Sequence, residues 1–208
     1  MWIIRHYMQI FDSDFSYLEG TNCYCCDEAA SEIRHLLEDA PLDAVHLIGT
    51  GDYHYLSLFW LEKIEEDFVL VLIDNHPDDQ ASAFDGQMLS CGSWVARARE
   101  LPHCRADIWV NGDSQFRSEG ESCISGLPVY LSIDLDALSE QYARTDWNQG
   151  KMSLDELCGI LRRYIGSRRI LGADICGGIT ESKGGSAEDM ALNEGTIATV
   201  TAVLQEIP

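Results

Sequence analysis

Residues 71–80 read VLIDNHPDDQ: an apolar run fit for the end of a buried strand gives way at once to three acids and a histidine. In an extended chain, side chains two apart share a face, so Asp74, His76 and Asp78 are expected to project together where the strand ends. The stretch PVYLSIDLD at 128–136 repeats the arrangement, with Asp134 and Asp136 two apart after an apolar run. A third apolar run, AVHLIG, leads into the glycine-containing turn TGDYH that ends at His54. In open α/β sheets ligands collect beyond the carboxyl ends of the strands, and all three groups fall there.

Working outward, short β-branched runs at 44–49, 68–73, 107–111, 128–133 and 169–174 alternate with helical segments at 27–39, 54–65, 93–100, 153–166 and 187–204. Such alternation predicts an α/β fold, with a mostly parallel central sheet covered on both faces. Ser153 with Glu156 three residues on is a capping box that marks the start of the fourth helix. Neither an internal repeat nor a low-complexity linker interrupts the chain, so one domain over residues 1–208 is expected. The polar, glycine-punctuated segment 112–127 reads as a surface loop.

The 208 residues carry a formal net charge of −21 with 46% hydrophobic content. Nucleic acid and anionic membrane surfaces would be repelled at long range, whereas a cationic small-molecule substrate or a metal ion would be attracted. The opening MWIIRHYMQI is broken by Arg5 and His6 and lacks the apolar core of a secretory signal. No stretch approaches the roughly 18 apolar residues of a membrane helix. A cytoplasmic location is therefore expected, with the eight cysteines mostly reduced. Cys23, Cys25 and Cys26 lack the paired spacing of zinc sites and read as packing residues.

Acids after strands commonly serve as helix caps or solvated loop residues. Two such clusters joined by a histidine after a third strand favour another reading. Four carboxylates and two imidazoles converging in a low-dielectric crevice would repel strongly, and divalent cations relieve that repulsion. Hard oxygen donors with some imidazole suit Mn²⁺, Mg²⁺ or Fe²⁺, and a shared carboxylate suits two ions about 3.5–4 Å apart.

The set GDYH, DNHPD and SIDLD, in this order and separation, resembles the arginase/agmatinase (ureohydrolase) family over about Leu47 to Gly178. Tyr53 stands where the family usually has Asp before its His. The whole set of motifs, with TNCYCCDEA, LSCGSWV and TDWNQG, looks like a bacterial branch of that superfamily whose membership supplies no substrate. The resemblance implies a three-layer αβα fold, as in arginases and deacetylases, around two manganese ions, with magnesium, iron or zinc as alternatives. It implies one ion on His54, Asp74, Asp78 and Asp134, and the other on Asp74, His76, Asp134 and Asp136. Ureohydrolases are often trimers or hexamers, so a homo-oligomer is an expectation of the same kind.

The implied activity is hydrolysis of a non-peptide C–N bond in a guanidino, amidino, formimino or amide substrate, with a metal-bridging hydroxide as nucleophile and Asp134 central to catalysis. The family places a proton-transferring His where this chain has Cys91, so Cys91 or a nearby acid would have to pass the proton. The family's Asp and, three residues on, its guanidinium-gripping Glu correspond here to Asp174 and Gly177, with Glu181 left to reach in from a loop. Trp147 and Asn148 are expected at the pocket entrance. Two alternatives stand beside this reading: a single-zinc, deacetylase-like amidohydrolase using Asp74, His76 and Asp134, and a non-catalytic member of the fold that binds metal or a small ligand. His35 and His46 read as structural histidines, and His6 and His103 lack ligand partners at useful spacing. Asp79 reads either as an acceptor for a ligand imidazole or as a solvated turn residue, and Cys176 as a packing residue near the pocket.

Overall fold

The run Phe68–Ile73, FVLVLI, is buried at every position, as a strand covered on both faces must be. It is the fourth strand in a computed structural model that describes residues 8–81, 88–112, 114–117 and 124–207. His6 and the start of MWIIRHYMQI lie outside the described residues, as does part of the 112–127 segment. The strands are β1 (Gln9–Asp12), β2 (Tyr24–Cys25), β3 (Ala44–Leu47), β4 (Phe68–Ile73), β5 (Leu89–Ser90), β6 (Cys104–Asn111), β7 (Ser114–Arg117), β8 (Val129–Asp134) and β9 (Ile170–Cys176). The helices are α1 (Asp27–Leu37), α2 (Leu56–Leu61), α3 (Trp94–Ala98), α4 (Leu154–Ser167) and α5 (Ala187–Leu204).

Seven strands form the main sheet in the order β1-β3-β9-β8-β4-β6-β7, parallel throughout except for the antiparallel β6–β7 pair. The antiparallel strand β7 falls inside the segment expected to be only a surface loop. Polar composition hid it, because an edge strand has one flank open to water and needs no apolar run. β1, read from sequence as no element, is likewise an edge strand, with Ile10 exposed. β2 and β5 make a separate two-stranded antiparallel ribbon.

Two apolar layers sandwich the sheet, which confirms the three-layer αβα arrangement. Residues Leu157, Leu161, Val200 and Leu204 of α4 and α5 pack on one face with Val71, Leu131 and Ile133. Ile33, Leu56, Phe59 and Trp94 of α1, α2 and α3 pack on the other with Leu70, Leu72 and Tyr130. The Ser153–Glu156 capping box is present at α4, and a second one, Ser186 with Asp189, starts α5. The topology matters for the site because β8 and β9 are inserted between β3 and β4. The carboxyl ends of all four strands thus meet at one place, where ligands gather in sheets of this kind.

Candidate metal centre

His54 follows a single 3-10 turn, Gly51–Tyr53, that leaves the end of β3. Its Nδ1 lies 3.1 Å from Asp74 Oδ2, 3.0 Å from Asp78 Oδ2 and 3.5 Å from Asp134 Oδ2. His76 Nδ1 lies 2.8 Å from Asp136 Oδ2 and 3.5 Å from Asp74 Oδ1. All six residues expected to hold metal therefore converge at the ends of β3, β4 and β8. Asp74, Asp134, Asp136 and His54 are almost wholly buried, and Asp78 is 8% exposed.

Convergence at 74–78 does not come from strand periodicity. β4 ends at Ile73, and Asp74 to His76 form a bend in which the His76 amide donates to Asp74 Oδ1 at 2.6 Å. The bend is pinned from outside: Trp109 donates its indole N–H to the Asp74 carbonyl, and Asn111 its amide to the Asn75 carbonyl. Asp78 then takes a left-handed backbone, φ 46°, which is uncommon for a residue other than glycine. Its carboxylate is fixed by the Trp94 indole N–H at 2.8 Å. Asp134 ends β8, and its Oδ1 accepts the Asp136 amide as that chain turns away. Asn75 donates its amide to Asp136 Oδ1, tying the β4 and β8 clusters together.

The electrostatics follow from the crowding. Burial, together with the neighbouring Asp136 and Asp74 carboxylates, pushes the Asp134 carboxyl well above its ordinary range. Burial pushes Asp136 up to about 6. Hydrogen bonds that His76 donates to the Asp136 and Asp74 carboxylates push it up to about 10 against the effect of burial. Burial alone would lower His54, but Cys176, Asp74 and Asp78 together raise it well above the usual imidazole value. Four carboxylates gathered around two imidazoles, with no lysine or arginine among them, make a cradle whose charge suits divalent cations. His54, Asp74 and Asp78 offer donor atoms within 4.8 Å of one another, and so do Asp74, His76 and Asp136. The two groups share Asp74, as two adjacent ions with a common carboxylate require.

The remaining expectations divide. Cys91 lines the pocket beside His54 and Asp78, but burial and the neighbouring Cys23 push its thiol up to about 12. It is a neutral S–H at physiological pH and not a ready proton carrier. Trp147 covers the pocket: its indole donates to Asp52 Oδ1 at 3.1 Å, and its ring meets His76 edge-on at 6.2 Å between centroids. Asn148 does not line the pocket, and its backbone carbonyl accepts from Asn75. Glu181 is exposed on a 3-10 turn away from the pocket; Lys183 of the same turn instead reaches Asp52 and, at 3.1 Å, Asp146. Asp79 pairs with Arg99 and does not meet a ligand imidazole.

Sequence reasoning assigned Cys176 to packing, yet its thiol donates to Asp134 Oδ2 at 3.1 Å. His54, Asp134 and Cys176 make a third donor group, overlapping the first through His54. Trp94, Gln80 and Gly92 went unnoticed as parts of the site, because neutral residues give no chemical signal in a sequence. His46 is structural as expected, stacked on Trp60 at 3.5 Å and bonded to Tyr130 and the Pro41 carbonyl. Among the described residues, no donor group includes Cys23, Cys25 or Cys26. The cavity at the centre holds about 50 Å³.

No family model matches the sequence. An uncharacterised protein of Thermotoga maritima is 36% identical over 171 residues, covering 77% of this chain and 68% of that protein. Among solved structures, a hypothetical agmatinase from Burkholderia thailandensis superposes with a TM-score of 0.61 at 18% identity, covering 88% of this chain and 68% of its own. An arginase-like protein of T. brucei, a triple mutant bound with Mn²⁺, superposes with a TM-score of 0.55 at 18% identity, covering 86% of this chain and 66% of its own. The chain thus belongs to one family with the Thermotoga maritima protein, and its fold is that of the arginase/agmatinase (ureohydrolase) superfamily.

Proposed function

We propose that the protein is a metal-dependent hydrolase of a non-peptide C–N bond, working with two divalent ions, manganese foremost. The observation that carries this reading is the pair of buried donor groups, His54–Asp74–Asp78 and Asp74–His76–Asp136, joined through one shared carboxylate. His54, Asp74, Asp78 and Asp134 would hold one ion; Asp74, His76, Asp134 and Asp136 would hold the other. When bound, the ions supply an activated water and polarise the electrophile. The ureohydrolase fold and a neighbour bound with Mn²⁺ support the same choice.

The chain's own residues bind, orient and handle the proton. Asp134, whose Oδ1 accepts the Asp136 amide and whose Oδ2 accepts the Cys176 thiol, is fixed as a carboxylate for both ions. The proton released as water adds to the trigonal carbon passes to the leaving nitrogen through a nearby acid. Cys176 holds Asp134 Oδ2 in place. Cys91 and Trp147 wall the pocket and exclude bulk water. The cavity of about 50 Å³ limits the reacting group to a small one, in keeping with a guanidino, amidino, formimino or amide group of a small-molecule substrate. The negative overall charge favours a cationic one and disfavours nucleic acid as a partner. No helix among the described residues is long and apolar enough to cross a membrane.

The test is elemental analysis of purified wild type and Asp134→Ala, followed by a screen of small amidines and amides. Two equivalents of manganese in the wild type, lost in the variant together with turnover, are expected. A single zinc would favour the deacetylase-like alternative. Metal without turnover of any such compound would leave a binding protein on a hydrolase scaffold.

A further inference from the structure

Behind His54, on the side away from the acids, lies a row of wholly buried polar groups. His54 Nε2 is 2.9 Å from Ser132 Oγ, and Ser132 Oγ donates to Asp174 Oδ1 at 2.7 Å. Ser57 Oγ approaches Ser132 Oγ at 3.2 Å. Ser132, Ser57 and Asp174 are each 0% exposed. Register explains the meeting: Ser132 of β8 and Asp174 of β9 are direct neighbours across the parallel pair. Asp174 therefore lies beneath the metal cluster inside the sheet layer, out of reach of any substrate.

A hydroxyl has one hydrogen to give and two lone pairs to accept with. Ser132 gives its hydrogen to Asp174, so toward His54 it is an acceptor, and the proton it accepts sits on Nε2. An imidazole that donates from Nε2 in its neutral form carries a bare lone pair on Nδ1, the atom facing Asp74, Asp78 and Asp134. We propose that Asp174, acting through Ser132, is the positioning residue that fixes the His54 ring and keeps Nδ1 free for a divalent cation. The inference rests on the metal-dependent reading above.

A second observation points the same way. Asp174 is a wholly buried carboxyl that Ser132, Ser57 and Tyr130 all contact, a polar cluster that packing alone would not call for. A carboxylate so placed has a use if its charge is read by a cation held on the far side of His54. Partners of this kind beyond a metal-binding histidine set ring orientation and raise its basicity.

The test titrates manganese(II) chloride into the chelator-treated full chain by isothermal calorimetry near neutral pH, for wild type, Asp174→Asn, Ser132→Ala and the control Ser167→Ala, exposed at the end of α4. The melting temperature of each metal-free variant checks folding. Asp174→Asn and Ser132→Ala are expected to weaken one of the two binding events by about 10–100-fold, with Ser167→Ala unchanged. Nitrogen-15 spectra of the zinc-loaded wild type are expected to show the His54 proton on Nε2. Wild-type affinity in both variants, or a proton on Nδ1, would overturn the positioning role while leaving the metal centre intact. No metal uptake by the wild type would instead overturn the proposed function, and this role with it. If Asp174→Asn does not fold, Ser132→Ala and the spectra decide alone.

Discussion

Gly177 and Asp134 compete for the same space: a β-carbon on Gly177 would lie 1.9 Å from Asp134 Oδ1. Gly177 also has φ +99°, a backbone that side chains rarely tolerate. The departure from glutamate at this position is thus demanded by the local geometry. Gly177→Ala is expected to cost about 1–3 kcal/mol from the backbone alone and to displace Asp134. Gly177→Glu, an attempt to rebuild a guanidinium grip, is expected to lose manganese and gain no activity on a guanidine. Elemental analysis and thermal melting read both variants; a Gly177→Glu protein that keeps its metal would refute the argument.

The Trp94 indole is wholly buried and donates to Asp78, which is held in a left-handed conformation. Trp94→Phe keeps most of the ring and removes the donor. The expected cost is about 1–3 kcal/mol of stability for the weakened buried carboxylate. Manganese affinity should fall by about 10–100-fold, because the orientation of a ligand is lost while the ligand remains. Calorimetry with unchanged affinity would reduce Trp94 to a packing residue.

Much of this centre was legible in sequence because charged residues clustered at strand ends have few bland explanations. That Asp74, His76, Asp134 and Asp136 share one site could be read from their clustering at strand ends, although a bend at 74–76 and the 3-10 turn Leu135–Ala137, not strand alternation, bring them together. The reason given for Asp78 could not hold: a bend and a left-handed residue, not strand alternation, bring it in. The contacts of Ser132, Asp174 and Cys176 were hidden because the residues that meet in them are 78, 42 and 42 positions apart, distances that only the sheet register closes. Edge strands β1 and β7 escaped for a different reason, since strands open to solvent carry no continuous apolar signal. Glu181 was drawn toward the site by proximity in sequence, but the glycine-capped turn turns Lys183 inward instead.

The titrating groups give a pH signature for the metal-free protein. His76 moves from 6.5 to about 10 in the folded state, so its contribution is complete below 6.5 and is lost as pH rises through about 10. Asp136, raised from 3.8 to about 6, also favours the protonated folded form, and that contribution fades as pH rises through about 6. Both signs agree: the melting temperature of the chelator-treated protein should fall from mildly acidic to alkaline pH. Manganese replaces the protons as the balancing charge, so the rise in melting temperature on adding it should be larger at the alkaline end. A metal-free protein that gains stability with pH across this window would contradict the crowding described for the site.

Trp147 closes the pocket through contacts from three separate segments. Its indole N–H binds Asp52, whose other oxygen meets Lys183, and Lys183 also pairs with Asp146. Gly51 makes room for the ring, since a β-carbon there would sit 2.9 Å from Trp147 Cδ1. With its ring against His76 at the edge of a cavity of about 50 Å³, Trp147 narrows the route that an ion or a substrate takes, and swinging the ring out widens it. The indole hydrogen bond, on a ring 41% exposed, resists that swing by about 0.5–1.5 kcal/mol. Trp147→Phe is therefore expected to quicken the stripping of manganese by a chelator roughly 2- to 10-fold, and Trp147→Ala further still. Equilibrium affinity should change much less, because the ring contributes no donor atom to either group. Equal stripping rates in all three proteins would mean that ions leave by another route, and that Trp147 serves only to anchor the loop before α4.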